Sequence, residues 1–163
     1  MKKTILTLGL ISALFSNCKE PNHKPSISEE RETIEGLDEH DINNEQHTFE
    51  NSWVNEITLD NGSKWSANTE TTEGVAKMIE LIKTNETTSV EDFHLLAKKL
   101  NEVKNVVVRE CTMKGAPHDN LHIFLHPLIE KIEILSKVST IADGNKVLAS
   151  IKINLEQYYN YFK

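Results

Sequence analysis

Residues 111–118 read Cys111-Thr112-Met113-Lys114-Gly115-Ala116-Pro117-His118. The stretch predicts a helix end, a tight turn and a new helix start, because Gly115 suits the C′ position and Pro117 suits a first helical turn. His122 and His126 follow on the second of these helices. A thiol, a thioether and imidazoles thus lie close to one interhelical turn.

Helical periodicity on both sides of this turn predicts four helices. They run from about Thr71 to Thr84, from the N-cap Ser89 to about Met113, from about His118 to Val138, and from a break at Asp143-Gly144 to the C-terminus. Apolar residues spaced three and four apart mark one buried face on each helix. These inward positions are Val75, Met78, Ile79, Ile82, Phe93, Leu96, Leu100, Val103, Val107, Leu121, Leu125, Leu128, Ile132, Leu135, Val147, Leu148, Ile151, Leu155, Tyr158 and Phe162.

Short connections make consecutive helices antiparallel, which predicts an all-α, up-down-up-down four-helix bundle. The starts of helices 1 and 3 and the ends of helices 2 and 4 then share one end of the bundle. Met78, Cys111, Met113, His118 and His122 belong to those segments, so they are predicted to converge there.

A short β-hairpin is predicted before the bundle, over residues 51–70. Residues 53–59 partly alternate in polarity, Asp60-Asn61-Gly62 supplies turn residues, and Lys64-Trp65 follows. An isolated two-stranded hairpin is marginal in water, so Trp53, Ile57 and Trp65 are predicted to pack on the helical body as a flap. The alternative is that these aromatic rings stack on a ligand.

The N-terminal residues predict a secreted chain. Lys2-Lys3, an apolar run from Ile5 to Phe15 and then Cys18 resemble a bacterial lipoprotein signal, which implies a signal peptide over residues 1–17 and a lipidated Cys18 in the cell envelope, on a periplasmic or outer-membrane leaflet. The alternative is an ordinary cleaved secretion signal. The following charged and polar residues, up to residue 50, predict a disordered tether, whose histidines could also bind metal weakly.

Composition narrows the function classes. The chain has 163 residues, enough for one domain with a core, and its formal net charge of −7 gives no electrostatic footprint for nucleic acid. If Cys18 carries lipid, Cys111 has no intramolecular disulfide partner and is either a buried, inert thiol or a ligand.

Soft and borderline donors at the shared end of the bundle predict a copper or zinc site. Cys111, His118 and His122 are the predicted primary ligands, and Met113, Met78 or His126 would complete the shell. The competing interpretation makes Cys111 and Met78 core residues and the histidines boundary residues. No enzyme is predicted, because neither an oxyanion-hole loop nor a di-iron constellation accompanies these residues.

The segment from Thr71 to Lys163 resembles cytochrome b562, a periplasmic four-helix bundle, in helix lengths, in the Met78 of helix 1 and in the ending Glu156-Gln157-Tyr158-Tyr159-Asn160-Tyr161-Phe162. The resemblance implies the bundle fold and a haem held by a helix 1 Met and a helix 4 His. Helix 4 contains no His, so haem is not predicted.

Two functional hypotheses follow. The first is a lipid-anchored envelope protein that binds copper or zinc. The second is a non-catalytic module of the envelope, in which the hairpin and an exposed helix face bind a partner protein.

Overall fold

The computed structural model describes residues 50–163, where it contains four α-helices and no sheet. A 3-10 helix, Ser52–Asn55, precedes α1 (Thr69–Thr84), α2 (Val90–Glu110), α3 (Ala116–Leu135) and α4 (Ile141–Tyr161). The predicted all-helical body is confirmed. The predictions of a signal peptide, a lipidated Cys18 and a tether concern residues that lie outside the described part.

The four helices form a bundle in which α1 and α3 each pack against α2 and α4. The Thr72 hydroxyl at the start of α1 lies 2.9 Å from the Tyr158 hydroxyl at the end of α4. His94 at the start of α2 lies, through Nε2, 2.8 Å from the Val138 carbonyl after the end of α3. These contacts join the start of one helix to the end of another, as an antiparallel arrangement requires. None of the helices within residues 50–163 is long and apolar enough to cross a bilayer.

The core follows the predicted apolar faces closely. All the predicted inward positions are buried except Ile79, Ile82, Val103 and Leu148, which are half-buried at the edge of the core. Phe124 is also fully buried, although the α3 pattern did not single it out. Burial of these apolar side chains is the main driving force for the bundle.

The helix boundaries correct two glycine predictions. Gly144 does not break the chain, because α4 begins at Ile141 and Thr140 caps it by accepting a hydrogen bond from the Asp143 amide at 3.1 Å. A Cβ at Gly144 would lie 2.5 Å from Phe93 Cδ2, so the glycine allows close helix packing. Gly115 is the N-cap of α3 rather than the C′ residue of α2, which ends at Glu110.

The predicted cap of α2 is confirmed. Ser89 Oγ accepts a hydrogen bond from the Asp92 amide at 3.2 Å, and Asp92 Oδ2 accepts one from the Ser89 amide at 2.9 Å, which together form a capping box. Hydrogen bonds from Ser89 and Thr88 lower the pKa of Asp92.

The predicted hairpin over residues 51–70 is wrong in its strands and right in its turn. Asp60 and Ser63 pair through two backbone hydrogen bonds of 2.8 and 2.9 Å, and Asn61 and Gly62 between them have positive φ. Residues 53–55 of the first predicted strand instead belong to the 3-10 helix. The second does not pair with the first, because it pairs with the C-terminus: the Trp65 amide donates to the Tyr161 carbonyl at 2.8 Å.

We call residues 51–67 the strap. Trp53 and Ile57 are buried in the main core and Trp65 is half-buried against it, which confirms the predicted packing of these three side chains. The Thr58 amide also donates to Asn120 Oδ1 of α3 at 2.8 Å. A lone hairpin has little stability in water. The tertiary contacts of the strap therefore decide its conformation, and its backbone is irregular.

Candidate metal centre

The connection between α2 and α3 places Cys111 beside the start of α3. Cys111 is the C-cap of α2 and has extended backbone angles, so the chain leaves the helix there. Gly115, with φ 65° and ψ −147°, then turns the chain into α3, in a backbone region that is almost confined to glycine. Pro117 lies in the first turn of α3, as predicted. His118 follows directly on this turn and faces back toward the thiol.

The thiol and the first imidazole are at ligand spacing. Cys111 Sγ lies 3.6 Å from His118 Nδ1, and both side chains are half-buried. A tetrahedral zinc ion with ordinary Zn–S and Zn–N bonds separates its sulfur and nitrogen ligands by about 3.6 Å. The separation of these two atoms therefore matches that of two ligands on one ion.

Two further imidazoles continue from His118 along the surface of α3. His118 Nε2 lies 3.0 Å from His122 Nε2, and His122 Nδ1 lies 3.4 Å from His126 Nε2. Two nitrogen ligands on one tetrahedral zinc are separated by about 3.3 Å, which is close to both distances. The four-residue spacing on a helix places the three rings in a row on one face, edge to face with centroids 4.5 and 5.3 Å apart.

We call Cys111, His118, His122 and His126 the donor row. His118 presents Nδ1 to the thiol and Nε2 to His122, so the donors stand in series and do not point at a common centre. Accordingly, no group of three or more His, Cys, Asp or Glu side chains within residues 50–163 is already arranged to hold a metal ion. His122 and His126 are exposed, and their side chains can rotate toward an ion at small cost.

The two methionines predicted as supporting ligands lie in the core or against it. Met78 is fully buried in the core, on α1. Met113 is half-buried and packs against the core from the α2–α3 connection. Neither lines the small cavity that contains Cys111.

Two cavities flank the donor row. The first, which we call the thiol cavity, has a volume of about 110 Å³ and contains Cys111, His118, His122 and His126 among aliphatic side chains. The second, which we call the strap cavity, has a volume of about 270 Å³. It is lined by Asn51, Ser52, Trp53, Glu56, His122, Ile123, His126 and Pro127. His122 and His126 therefore separate a cavity with a thiol from a cavity with a carboxylate.

A buried amine was missed at the sequence level. Lys131 of α3 is fully buried, and its ammonium donates to Asn51 Oδ1 of the strap and, at 2.8 Å, to Asn154 Oδ1 of α4. Burial lowers the pKa of Lys131 to about 8, against a smaller opposing effect of Glu130. The only sequence signal was position, since Lys131 falls between Leu128 and Ile132 on the inward face of α3.

Comparisons with protein-family models, with curated proteins and with solved structures gave no match to this chain. The chemistry of the donor row and of its two cavities is therefore the basis for a functional proposal.

Proposed function

We propose that this chain is a lipid-anchored protein of the bacterial cell envelope that binds copper or zinc at the α2–α3 turn, without catalysis. Cys111, His118 and His122 are the proposed primary ligands. The observation that carries the proposal is the 3.6 Å separation of Cys111 Sγ and His118 Nδ1, two donors from different helical segments at the spacing of metal ligands. The anchoring rests on the signal-like residues before Cys18.

The donor set suits copper(I) or zinc. A thiolate and imidazoles bind both ions well, and hard cations such as magnesium prefer oxygen ligands. The exposed rings of His122 and His126, beside the half-buried thiol and His118, leave an entry path from solvent. An ion that binds Cys111 and His118 would draw the ring of His122 inward, which converts the row into a three-ligand site.

His126 is the favoured fourth ligand. It is exposed and stands 3.4 Å from His122, whereas Met78 is fully buried and could reach the row only if the core opened. Met113 lies closer in sequence, but its side chain packs against the core. The fourth position therefore goes to an imidazole more readily than to a thioether.

The test is a pair of affinities, for copper(I) and for zinc, measured on the full chain by competition with chromophoric chelators. The double variant Cys111→Ser, His118→Ala is expected to lose at least about tenfold in affinity for copper(I), because it removes two proposed ligands. A matched double variant of exposed neighbours, Thr112→Ser with Asp119→Asn, is expected to bind as the parent does.

Two outcomes contradict the proposal. One is a Cys111→Ser, His118→Ala variant that binds both ions as tightly as the parent. The other is loss of binding only when His23, His40 and His47 are replaced by Ala, since that result would move the site to the N-terminal segment.

The second hypothesis, a non-catalytic interaction module, is supported by exposed apolar side chains on α2. Leu95 is 50% exposed and Val106 is 40% exposed, and their spacing places them on one face of the helix. A chain that binds neither ion but retains an envelope partner after crosslinking in cells, and loses it in a Leu95→Asp, Val106→Asp variant, would favour this hypothesis.

A further inference from the structure

A carboxylate and two imidazoles line the strap cavity, although no three such side chains within residues 50–163 are already arranged around an ion. Glu56 reaches the cavity from the strap, and His122 and His126 reach it from α3. All three side chains are exposed, so solvent and ions have access to them. Glu56 immediately follows the 3-10 helix, and the remaining lining includes Trp53 and Pro127, which are fixed by burial and by the helix.

The backbone that carries Glu56 is held firmly in place. The Glu56 amide donates to the Trp53 carbonyl at 3.0 Å, and the next residue, Ile57, is buried. One residue later, the Thr58 amide donates to Asn120 of α3 at 2.8 Å. The Thr58 bond on one side and the edge-to-face packing of Trp53 on Phe124 at 5.6 Å on the other hold the backbone around Glu56 against the helix that carries the two histidines.

The imidazole pair has the spacing of zinc ligands. His122 Nδ1 and His126 Nε2 are 3.4 Å apart, against about 3.3 Å for two nitrogens on a tetrahedral zinc. Two imidazoles and one carboxylate form a donor set that proteins use for zinc with one position left to water. Because the set has no sulfur, it discriminates against copper(I), which prefers thiolate and thioether ligands.

We propose that Glu56, His122 and His126 form a second site, for a divalent cation of the zinc type, which ties the strap to α3. It shares His122 and His126 with the site proposed above at Cys111, His118 and His122, which we call the thiol centre. One chain therefore fills one of the two sites at a time, and the second site does not depend on Cys111. Zinc binding there closes a loop between the strap and the helix, so it stabilises the strap as well as filling the cavity. Copper(I) remains with the thiol side of the donor row.

The experiment measures zinc and copper(I) affinities of the full chain and of three variants. Glu56→Gln keeps the size of the side chain and removes its charge, and it is expected to weaken zinc binding at least about tenfold without changing copper(I) binding. Glu50→Gln, an exposed carboxylate of the same region that does not line the cavity, is the matched control and is expected to change neither. Cys111→Ser is expected to keep the Glu56-dependent zinc binding.

A structural readout accompanies the affinities. Zinc is expected to slow amide hydrogen exchange of residues 52–58 in the parent and in Cys111→Ser, and not in Glu56→Gln. Equal zinc affinity and equal protection in the parent and in Glu56→Gln would overturn the strap site. Loss of all zinc binding in Cys111→Ser would overturn it too, while leaving the thiol centre intact.

The two proposals fail in different ways. If Glu56→Gln leaves the zinc affinity unchanged while Cys111→Ser, His118→Ala abolishes metal binding, only the strap site is wrong. If Glu56→Gln weakens zinc binding while Cys111→Ser, His118→Ala changes neither the zinc nor the copper(I) affinity, only the thiol centre is wrong.

Discussion

The buried ammonium of Lys131 predicts an unusual rise of stability with pH. In the folded chain its pKa is lowered from 10.5 to about 8 by burial, whereas the unfolded chain keeps the ordinary value. Between these values the unfolded state binds a proton that the folded state does not, so raising the pH stabilises the fold. At about 1.36 kcal/mol per pKa unit, the charged form costs about 3 kcal/mol at neutral pH, and this cost is fully present below pH 8.

The measurable part of this effect lies between pH 7.5 and 9.5. Over that window the linkage relation gives a rise of about 2 kcal/mol in the free energy of unfolding from Lys131 alone. Higher pH is avoided, because burial raises the pKa of Tyr158 to about 12 and its ionisation in the unfolded chain opposes the rise above pH 10.

The assay is urea unfolding of the parent and of Lys131→Met at pH 7.5, 8.5 and 9.5. Methionine keeps the length of the side chain and removes the titrating group, although it removes the Lys131 donor from Asn154 Oδ1 and leaves Asn51 Oδ1 with the Trp53 indole N–H. The quantity that decides is the difference in stability between the two proteins, which should shift by about 2 kcal/mol in favour of the parent across the window. Parallel pH profiles of stability for the two proteins would contradict a buried lysine with a lowered pKa.

Three further predictions concern the scaffold, and each is measured by urea unfolding or proteolysis. Gly144→Ala should destabilise the bundle by about 1–3 kcal/mol, because the new Cβ would lie 2.5 to 2.8 Å from three atoms of the Phe93 ring; an unchanged unfolding midpoint would contradict this close packing. Ser89→Ala should cost about 1 kcal/mol through loss of the α2 capping box, and a cost near zero would argue against the cap. Asn120→Ala removes the acceptor of the Thr58 amide, so limited proteolysis should cut the strap faster while the helices stay resistant. Equal cutting rates would show that the strap is held by its aromatic side chains alone.

The helices and their buried faces were predictable because each is a local pattern. The Ser89 cap was predictable from its side-chain chemistry, and the buried faces were predictable from the helical period of the apolar residues. Gly144 was misjudged for the opposite reason: it is tolerated inside α4 because of Phe93, a residue from another helix that no local rule includes.

The strap was likewise predictable only where its structure depends on neighbouring residues in the sequence. Its turn at Asn61-Gly62 was predictable, since those residues tolerate positive φ. The pairing of Trp65 with the C-terminus was not, because the two segments are almost a hundred residues apart and only the packed bundle brings them together.

The candidate site divides in a similar way. Cys111 and His118 were predictable as neighbours because a single turn separates them, and the structure places them together. Glu56 and Lys131 were not singled out, since the first acquires its surroundings from α3 and the second has its acceptors, Asn51 and Asn154, on distant segments of the chain.

The most direct measurement of the thiol centre is zinc X-ray absorption on the full chain carrying Glu56→Gln, loaded with one equivalent of the metal. The proposed centre predicts one sulfur at about 2.3 Å and imidazole nitrogens at about 2.0 Å, with the sulfur shell lost in the Cys111→Ser variant. A first shell of nitrogen and oxygen alone, unchanged by Cys111→Ser, would contradict a metal centre at the α2–α3 turn.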